Sequence, residues 1–315
     1  MKVAVLIPVY NAAPYLRQCL DSVLAQSGAD IGVFCCDDGS GDGSKAILEE
    51  YAHGHGNVHA VFQENAGVVA TRNRLLDELP AEYGAFAFLD SDDYVAPGMY
   101  AKLVEAMERT DADIAECEWD GDERVVDDMS VYLLRRTAVG RWINVINKLY
   151  RRSSLGSIRF RRGLRFEEDL FFNLEAHAAA RRKVLVPGRF YTYRTNPESA
   201  TNRLDLRAYF SSTTERIRLS LGVFLHAGRV PSGLEADFRR ELARDAYRMC
   251  IRKNLRKNRD DGLRRELFFA AGEFFRTMER TDGFRPVGLN PIQRVVYDCC
   301  KRGQYACARL LASLS

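Results

Sequence analysis

The 315-residue sequence predicts an α/β protein, with a mixed, mainly parallel sheet flanked by helices over residues 1–204 and a helical region over residues 205–315. Three observations lead there. Short apolar runs without polar alternation, the mark of strands covered on both faces, alternate with segments of helical period. Three of those runs end in polar or acidic clusters: Pro8-Val9-Tyr10-Asn11, Asp37-Asp38-Gly39-Ser40 and Asp90-Ser91-Asp92-Asp93. The charge also changes sign along the chain. Residues 1–203 hold 24 basic and 30 acidic side chains, whereas residues 204–315 hold 22 basic and 13 acidic, so an acidic unit carries a basic one.

The elements follow in order. Val3–Val9 is a continuous apolar run and reads as the first strand. Leu16, Leu20, Val23 and Leu24 then recur at helical spacing. Ile31–Cys36 is the second strand, and Asp42 or Ser44 is placed to cap the helix after it. Residues 58–63 form a third strand, residues 65–79 a third helix and residues 83–90 a fourth strand. Such a β-α-β series with short connections predicts parallel strands wrapped by helices. Ligands of such sheets bind beyond the carboxyl ends of the strands, and all three polar clusters fall on that edge.

The glycine-rich phosphate loops, G-x-G-x-x-G after the first strand and G-x-x-x-x-G-K-S/T, are missing. An acidic edge facing a phosphorylated ligand therefore needs a bridging cation. Mn²⁺ or Mg²⁺ suits carboxylate and phosphate oxygens. An apolar fraction of 46% and a charged fraction of 28% are those of a soluble globular chain. No basic-then-apolar leader opens it, and no apolar stretch approaches the ~20 residues that span a bilayer. The eight cysteines form no C-x-x-C pair. They point to a reducing, cytoplasmic compartment, with Cys35-Cys36 and Cys299-Cys300 as small core residues.

The segments VAVLIPVYNAAPYLRQCLDSVLAQ, CCDDGSGDGS, QENAGVVATRNRLL and FAFLDSDD, in this order, resemble the family 2 glycosyltransferases. These are inverting enzymes with the Rossmann-like GT-A nucleotide-sugar fold. INVINKLYRRS, LRFEEDLFFNLEA and GRFYTYRTNPESATN are similar to segments of the bacterial branch that builds capsular and exopolysaccharides. The resemblance covers about residues 1–203. It implies transfer of a sugar from a nucleotide-diphosphate donor, above all a UDP-sugar, to a glycan or lipid-linked acceptor in cell-surface polysaccharide synthesis.

The resemblance also implies residue roles. It puts Asp38 at the uracil, a place that sequence does not separate from Asp37, with Pro8 and Tyr10 beside the base and Arg72 near the phosphates. Asp90 and Asp92, flanking Ser91, match the D-x-D motif that holds Mn²⁺ or Mg²⁺ against the diphosphate. Asp93 would bond the cation's water or orient a neighbour. Among Glu167, Glu168 and Asp169, the last two fit the family's E-D pattern, with Asp169 as base and Glu168 orienting it or bonding the acceptor sugar. Lys148, Arg194 and Ser199, with Trp142 and Asn147, fall on the acceptor side. Plainer readings stand beside these: a solvated acidic turn, acids favoured at a helix N-terminus, a structural Lys148. His53, His55 and His59 read as loop residues away from the carboxyl edge.

Beyond residue 205, Arg244, Arg248, Arg252, Arg256 and Arg259 make one basic stripe along a helix. It reads as a solvated face, or as peripheral contact with an anionic membrane or a lipid diphosphate. No nucleic-acid motif is present. The amphipathic tail from Pro291 leaves docking on the body, a homodimer and membrane contact open. Two other functions compete. A haloacid-dehalogenase-type phosphatase would use Asp90 as nucleophile, but Asp93 stands where Thr or Val belongs. A non-catalytic nucleotide-sugar-binding scaffold is the other.

Overall fold

The computed structural model describes residues 1–118, 121–127, 144–155, 158–162, 168–194, 207, 210–211, 214, 240, 243–244, 246–252, 254–255, 260–281 and 289–312. These belong to two compact units. In the first, β1 (Lys2–Val9), α1 (Ala13–Leu24), β2 (Asp30–Asp37), α2 (Ser44–Gly54), β3 (Val58–Phe62), α3 (Val68–Asp77) and β4 (Ala85–Phe88) come in order. They are followed by β5 (Tyr94–Val95), α4 (Met99–Thr110), β6 (Ile114–Glu118), β7 (Arg124–Val126) and β8 (Lys148–Arg151). A turn of helix α5 (Arg152–Leu155), then α6 (Glu168–Ala179), β9 (Lys183–Pro187) and β10 (Tyr191–Thr192) complete the unit.

Eight strands form one sheet in the order β3-β2-β1-β4-β8-β6-β9-β7, and β10 pairs with β5 in a two-stranded ribbon. The pairs β1–β2, β1–β4, β2–β3 and β6–β9 are parallel, whereas β8 runs antiparallel between β4 and β6. The register sets Val9 beside Asp37 and Leu6 beside Phe88, so β1, β2 and β4 all end on the same edge.

The period of two along a strand divides the core. Val3, Val5 and Ile7 pack with residues of α1, α2 and α4 on one face, and Ala4 and Leu6 pack with residues of α3 and α6 on the other. Cys35 joins the first cluster and Cys36 the second, so adjacent thiols diverge into opposite layers. All eight cysteines are free thiols.

Two local expectations change. The N-cap position of α2 is Gly43, while Asp42, one residue before it, accepts at 2.9 Å from the Ser44 amide that opens the helix. Both side chains also fasten the β1–α1 loop to the β2–α2 loop: Asp42 accepts from the Ala13 amide at 3.0 Å, and the Ser44 hydroxyl from the Ala12 amide at 2.9 Å. His59 lies within β3, stacked on Phe34 at 4.7 Å between ring centroids, and His53 lies in the last turn of α2.

The described residues of the second unit include a π-helical turn (Tyr247–Arg252), α7 (Asp261–Thr281), α8 (Pro291–Lys301) and α9 (Tyr305–Ala312). Phe275 meets Tyr297 and Phe268 meets Tyr305 in its core. A Cβ on Gly272 would come within 2.4 Å of the Cys300 carbonyl, so only glycine lets α7 lie so close to α8. Asn290 and Gln293 cap α8 reciprocally. Arg244 and Arg248 are described, while Arg256 and Arg259 lie outside the described residues. No described helix is long and apolar enough to cross a membrane.

Candidate active site

The carboxyl edge of the sheet is built from three loops that lock one another. Asn11 takes a left-handed conformation (φ 49°) and bridges to the second loop, its amide donating to Ser40 Oγ and its Oδ1 accepting from the Gly41 amide. Tyr10, one residue earlier, is left 54% exposed at the end of β1, next to half-buried Pro8.

Asp38 is buried, and its carboxylate is heavily used. Oδ1 accepts from Gln63 Nε2 at 2.7 Å and the Ala66 amide at 2.8 Å, and Oδ2 accepts from the Gly67 amide at 2.8 Å. Asp38 thus holds the loop that leads into α3, and Oδ2 keeps one further lone pair. Gly39 beside it has φ +73°, and a Cβ there would stand 2.9 Å from the Asn65 amide nitrogen. Asp37 is turned elsewhere: Oδ2 accepts from the Ser40 amide at 3.1 Å, and Oδ1 is buried without a hydrogen-bond partner.

Arg72 gathers the remaining acidic candidates. It projects from α3, is 4% exposed, and lies over the Phe160 ring. Nη1 donates to Glu168 Oε1 at 3.1 Å and Asp169 Oδ1 at 2.6 Å, and Nη2 donates to Asp90 Oδ1 at 3.0 Å. The D-x-D loop and the E-D helix start therefore meet on one guanidinium. Burial raises the Asp90 and Glu168 carboxyls above the usual carboxylate range, and the Arg72 charge opposes the rise in both. Arg72 Nε is buried with no hydrogen-bond partner. Ser91 and Asp92 are half-buried in the same turn, which the Asp93 amide closes by donating to the Asp90 carbonyl.

Asp93 is 0% exposed. Its carboxylate accepts from Tyr191 Oη at 2.5 Å and from the Arg194 amide at 2.8 Å. Burial pushes its carboxyl up to about 6. The Arg194 guanidinium lies between the rings of Tyr15 and Tyr94, at 5.0 and 5.4 Å, and donates to Gln18.

Of its two sequence readings, Lys148 takes the structural one. It is 1% exposed, and Nζ donates to the Asn144 carbonyl at 2.7 Å and to Asn147 Oδ1 at 3.0 Å. Turned into the protein against the 144–147 loop, it does not line an acceptor pocket. Glu167, Trp142 and Ser199 lie outside the described residues. Sequence reasoning missed Gln63, which holds Asp38, and Tyr191, which holds Asp93. Tyr191 carried a signal, since it falls within the Tyr-Thr-Tyr-Arg segment assigned to the site.

Among the described residues, no three His, Cys, Asp or Glu side chains group into a metal cage. Asp90 and Asp92 nevertheless fit a hard divalent cation. Mg²⁺ characteristically takes one or two carboxylates and completes its shell with substrate phosphates and water.

An open α/β sheet with carboxylates and a buried arginine gathered beyond its parallel strand ends defines a protein of the class that binds its ligand at that edge. The chain belongs to glycosyl transferase family 2, whose model matches residues 4–186. It is 30% identical over 220 residues to the uncharacterized glycosyltransferase EpsJ of Bacillus subtilis, a match covering 63% of this chain and 62% of that one. The chain thus spans about three fifths of that relative's length. Its fold is that of S. aureus TarS 1–349 in complex with UDP-GlcNAc: TM-score 0.76, 21% identity, covering 99% of this chain and 91% of that one. The mannosyltransferase PcManGT of Pyrobaculum calidifontis, in complex with GDP-Man and Mn²⁺, is more distant: TM-score 0.53, 15% identity, covering 99% and 86%.

Proposed function

We propose that the protein is an inverting glycosyltransferase of cell-surface polysaccharide synthesis, moving a sugar from a UDP-linked donor to a hydroxyl of a glycan or lipid-linked acceptor. The observation that carries this reading is the Arg72 junction, which puts the D-x-D carboxylate Asp90 and the E-D carboxylate Asp169 on one buried cation at the sheet's ligand edge. The names of the relatives support the reading, as does the UDP-GlcNAc bound by the TarS neighbour. Membership of family 2 sets the phosphatase reading aside.

In this mechanism the exposed Tyr10 ring carries the base, and the free lone pair of Asp38 Oδ2 accepts its N–H. Asp90 and Asp92 would hold Mn²⁺ or Mg²⁺, which as a Lewis acid stabilises charge on the departing diphosphate. The acceptor oxygen attacks the anomeric carbon as the bond to the diphosphate oxygen breaks. Its proton passes to Asp169, and the nucleoside diphosphate leaves. Arg72 Nη1 donates to Asp169 Oδ1 at 2.6 Å and so occupies one oxygen of the base. An arriving diphosphate would compete for the guanidinium and release that oxygen towards the acceptor. The basic region beyond residue 205 would rest on an anionic membrane surface or the acceptor's lipid diphosphate.

The test is calorimetric binding of UDP, with and without Mn²⁺, to the wild type and to Asp92→Ala. Metal-dependent binding that the variant loses is expected. Failure of UDP, GDP and dTDP alike to bind would overturn the donor site and favour a scaffold role.

A further inference from the structure

Behind the site lies a set of charged groups that the proposed reaction does not use. Glu116 on β6, Lys148 on β8, Lys183 on β9 and His177 on α6 are each no more than 2% exposed. Glu116 pairs in register with Lys148, and Ile114 with Lys183, so all three strand residues share one face. Tyr150 and Ile114 of that face pack with Phe172 and Ala176 of α6. Charges so deeply buried persist only where partners compensate them. Here Lys183 Nζ donates to the Glu116 carboxylate and, at 2.8 Å, to His177 Nε2, while Lys148 Nζ stands 3.6 Å from Glu116.

Two chains of contacts run from this group to Asp169. Along α6, Asp169, Asn173 and His177 are spaced by four and fall on one stripe of the helix. His177 Nδ1 lies 2.7 Å from the Asn173 carbonyl. A carbonyl only accepts, so Nδ1 carries the proton and Nε2 presents its lone pair to Lys183. Asn173 Nδ2 in turn donates to the Asp169 carbonyl at 3.0 Å, and Asn173 Oδ1 accepts from Tyr150 Oη at 2.8 Å. The second chain runs through Lys148, which gathers the Asn144 carbonyl and Asn147 Oδ1. Between those residues the Val145 amide approaches Asp169 Oδ2 at 3.4 Å. One chain fixes the rotation of α6 beneath Asp169, and the other fixes the loop that meets its carboxylate.

We propose that Lys183 is a positioning residue for Asp169. Together with Glu116 and Lys148, it sets the rotation of α6 through His177 and Asn173 and so aims the Asp169 carboxylate. This rests on Asp169 being the base. A turn of α6 would carry Asn173 and His177 away from Tyr150 and Lys183 and leave buried polar groups unpaired. The helix therefore has one acceptable rotation. The stripe Asp-x-x-x-Asn-x-x-x-His is the sequence trace of this arrangement.

The test uses the full chain with Mn²⁺ and UDP-GlcNAc, reading UDP release, and compares Lys183→Met, Tyr150→Phe and Asp169→Asn. Methionine keeps the length of the lysine and leaves Glu116 its Lys148 partner, and Tyr150→Phe removes a single hydroxyl. The expected result is a kcat lowered about 10- to 100-fold in both, with the donor KM and calorimetric UDP affinity within about twofold of wild type, because the donor contacts lie on other loops. Independently of turnover, the Val145 amide should exchange hydrogen about tenfold faster in Lys183→Met, over and above any change at the amides of β1 in the same variant. Wild-type kcat in Lys183→Met and Tyr150→Phe beside an inactive Asp169→Asn would overturn the positioning role and leave the base standing. Unchanged Val145 exchange would overturn it as well. Full activity in Asp169→Asn would instead remove the base assignment.

Discussion

Replacing Arg72 by methionine would remove the cation that three carboxylates share while keeping most of the side chain's bulk. Asp169 Oδ1 and Glu168 Oε1 both bond the same Nη1, at 2.6 and 3.1 Å, so they lie within about 6 Å of each other. At an effective dielectric near 20 their mutual repulsion is then about 3 kcal/mol. Removing one partner of a buried pair costs about 3–5 kcal/mol, and the two figures agree. The penalty depends on pH with a definite sign. Burial already lifts the Glu168 and Asp90 carboxyls against the Arg72 charge, so without Arg72 those two hold protons still more tightly in the folded than in the unfolded chain, and the fold is weakened once they ionise. Urea unfolding of Arg72→Met should show a deficit of about 3–5 kcal/mol at pH 8 that shrinks by at least 1 kcal/mol at pH 5. A deficit below about 1 kcal/mol at pH 8, or one that grows on acidification, would refute the shared-cation account.

Other perturbations test separate parts of the molecule. Asp38→Ala strips an acceptor from two backbone amides and one side-chain amide, and should cost about 2–5 kcal/mol in chemical unfolding. Asp38→Asn should recover part of that loss. His177 is held neutral by burial and by the charges of Lys183 and Lys148, well below the usual histidine range. Below about pH 6.5 the unfolded chain therefore binds a proton that the folded chain refuses, and stability falls as pH falls, by up to about 1.4 kcal/mol per pH unit. His177→Gln should flatten a plot of unfolding free energy between pH 6.5 and 4.5 by that slope, and an unchanged slope would show that His177 titrates in the folded chain.

The parallel half of the sheet was legible because its strands are uninterrupted apolar runs, such as Val3–Ile7, and because β1, β2 and β4 each finish in a distinctive polar cluster. The other half was less so. β6 and β8 carry Glu116 and Lys148 inside short strands, and a charge in a strand normally signals exposure. Their burial depends on Lys183, 67 residues beyond Glu116, and separations of that kind leave no local pattern. The same reasoning explains why both readings of Lys148 stayed open, since its Nζ is turned inward by carbonyls that a sequence does not locate. At the site the acidic positions could be read one by one, but the Arg72 bridge to Glu168 and Asp169 spans 96 and 97 residues. The division of labour between Asp37 and Asp38 could not be read either, because it depends on where the 63–67 loop places its amides.

The hold of Tyr191 and Arg194 on Asp93 carries a consequence for the chain as it is synthesised. The groups that bond this carboxylate come from residues 98 and 101 positions further on. At about 5–20 residues per second, a ribosome that has just added Asp93 needs about 5–20 s to supply them. Through that interval the nascent chain already has its apolar strands and its acidic turn, but nothing yet seats the last aspartate. The Asp93 carboxylate gains these partners only when β10 and Arg194 arrive. A chain released short of residue 191 would therefore keep the whole D-x-D motif and lack the partners of the aspartate that follows it.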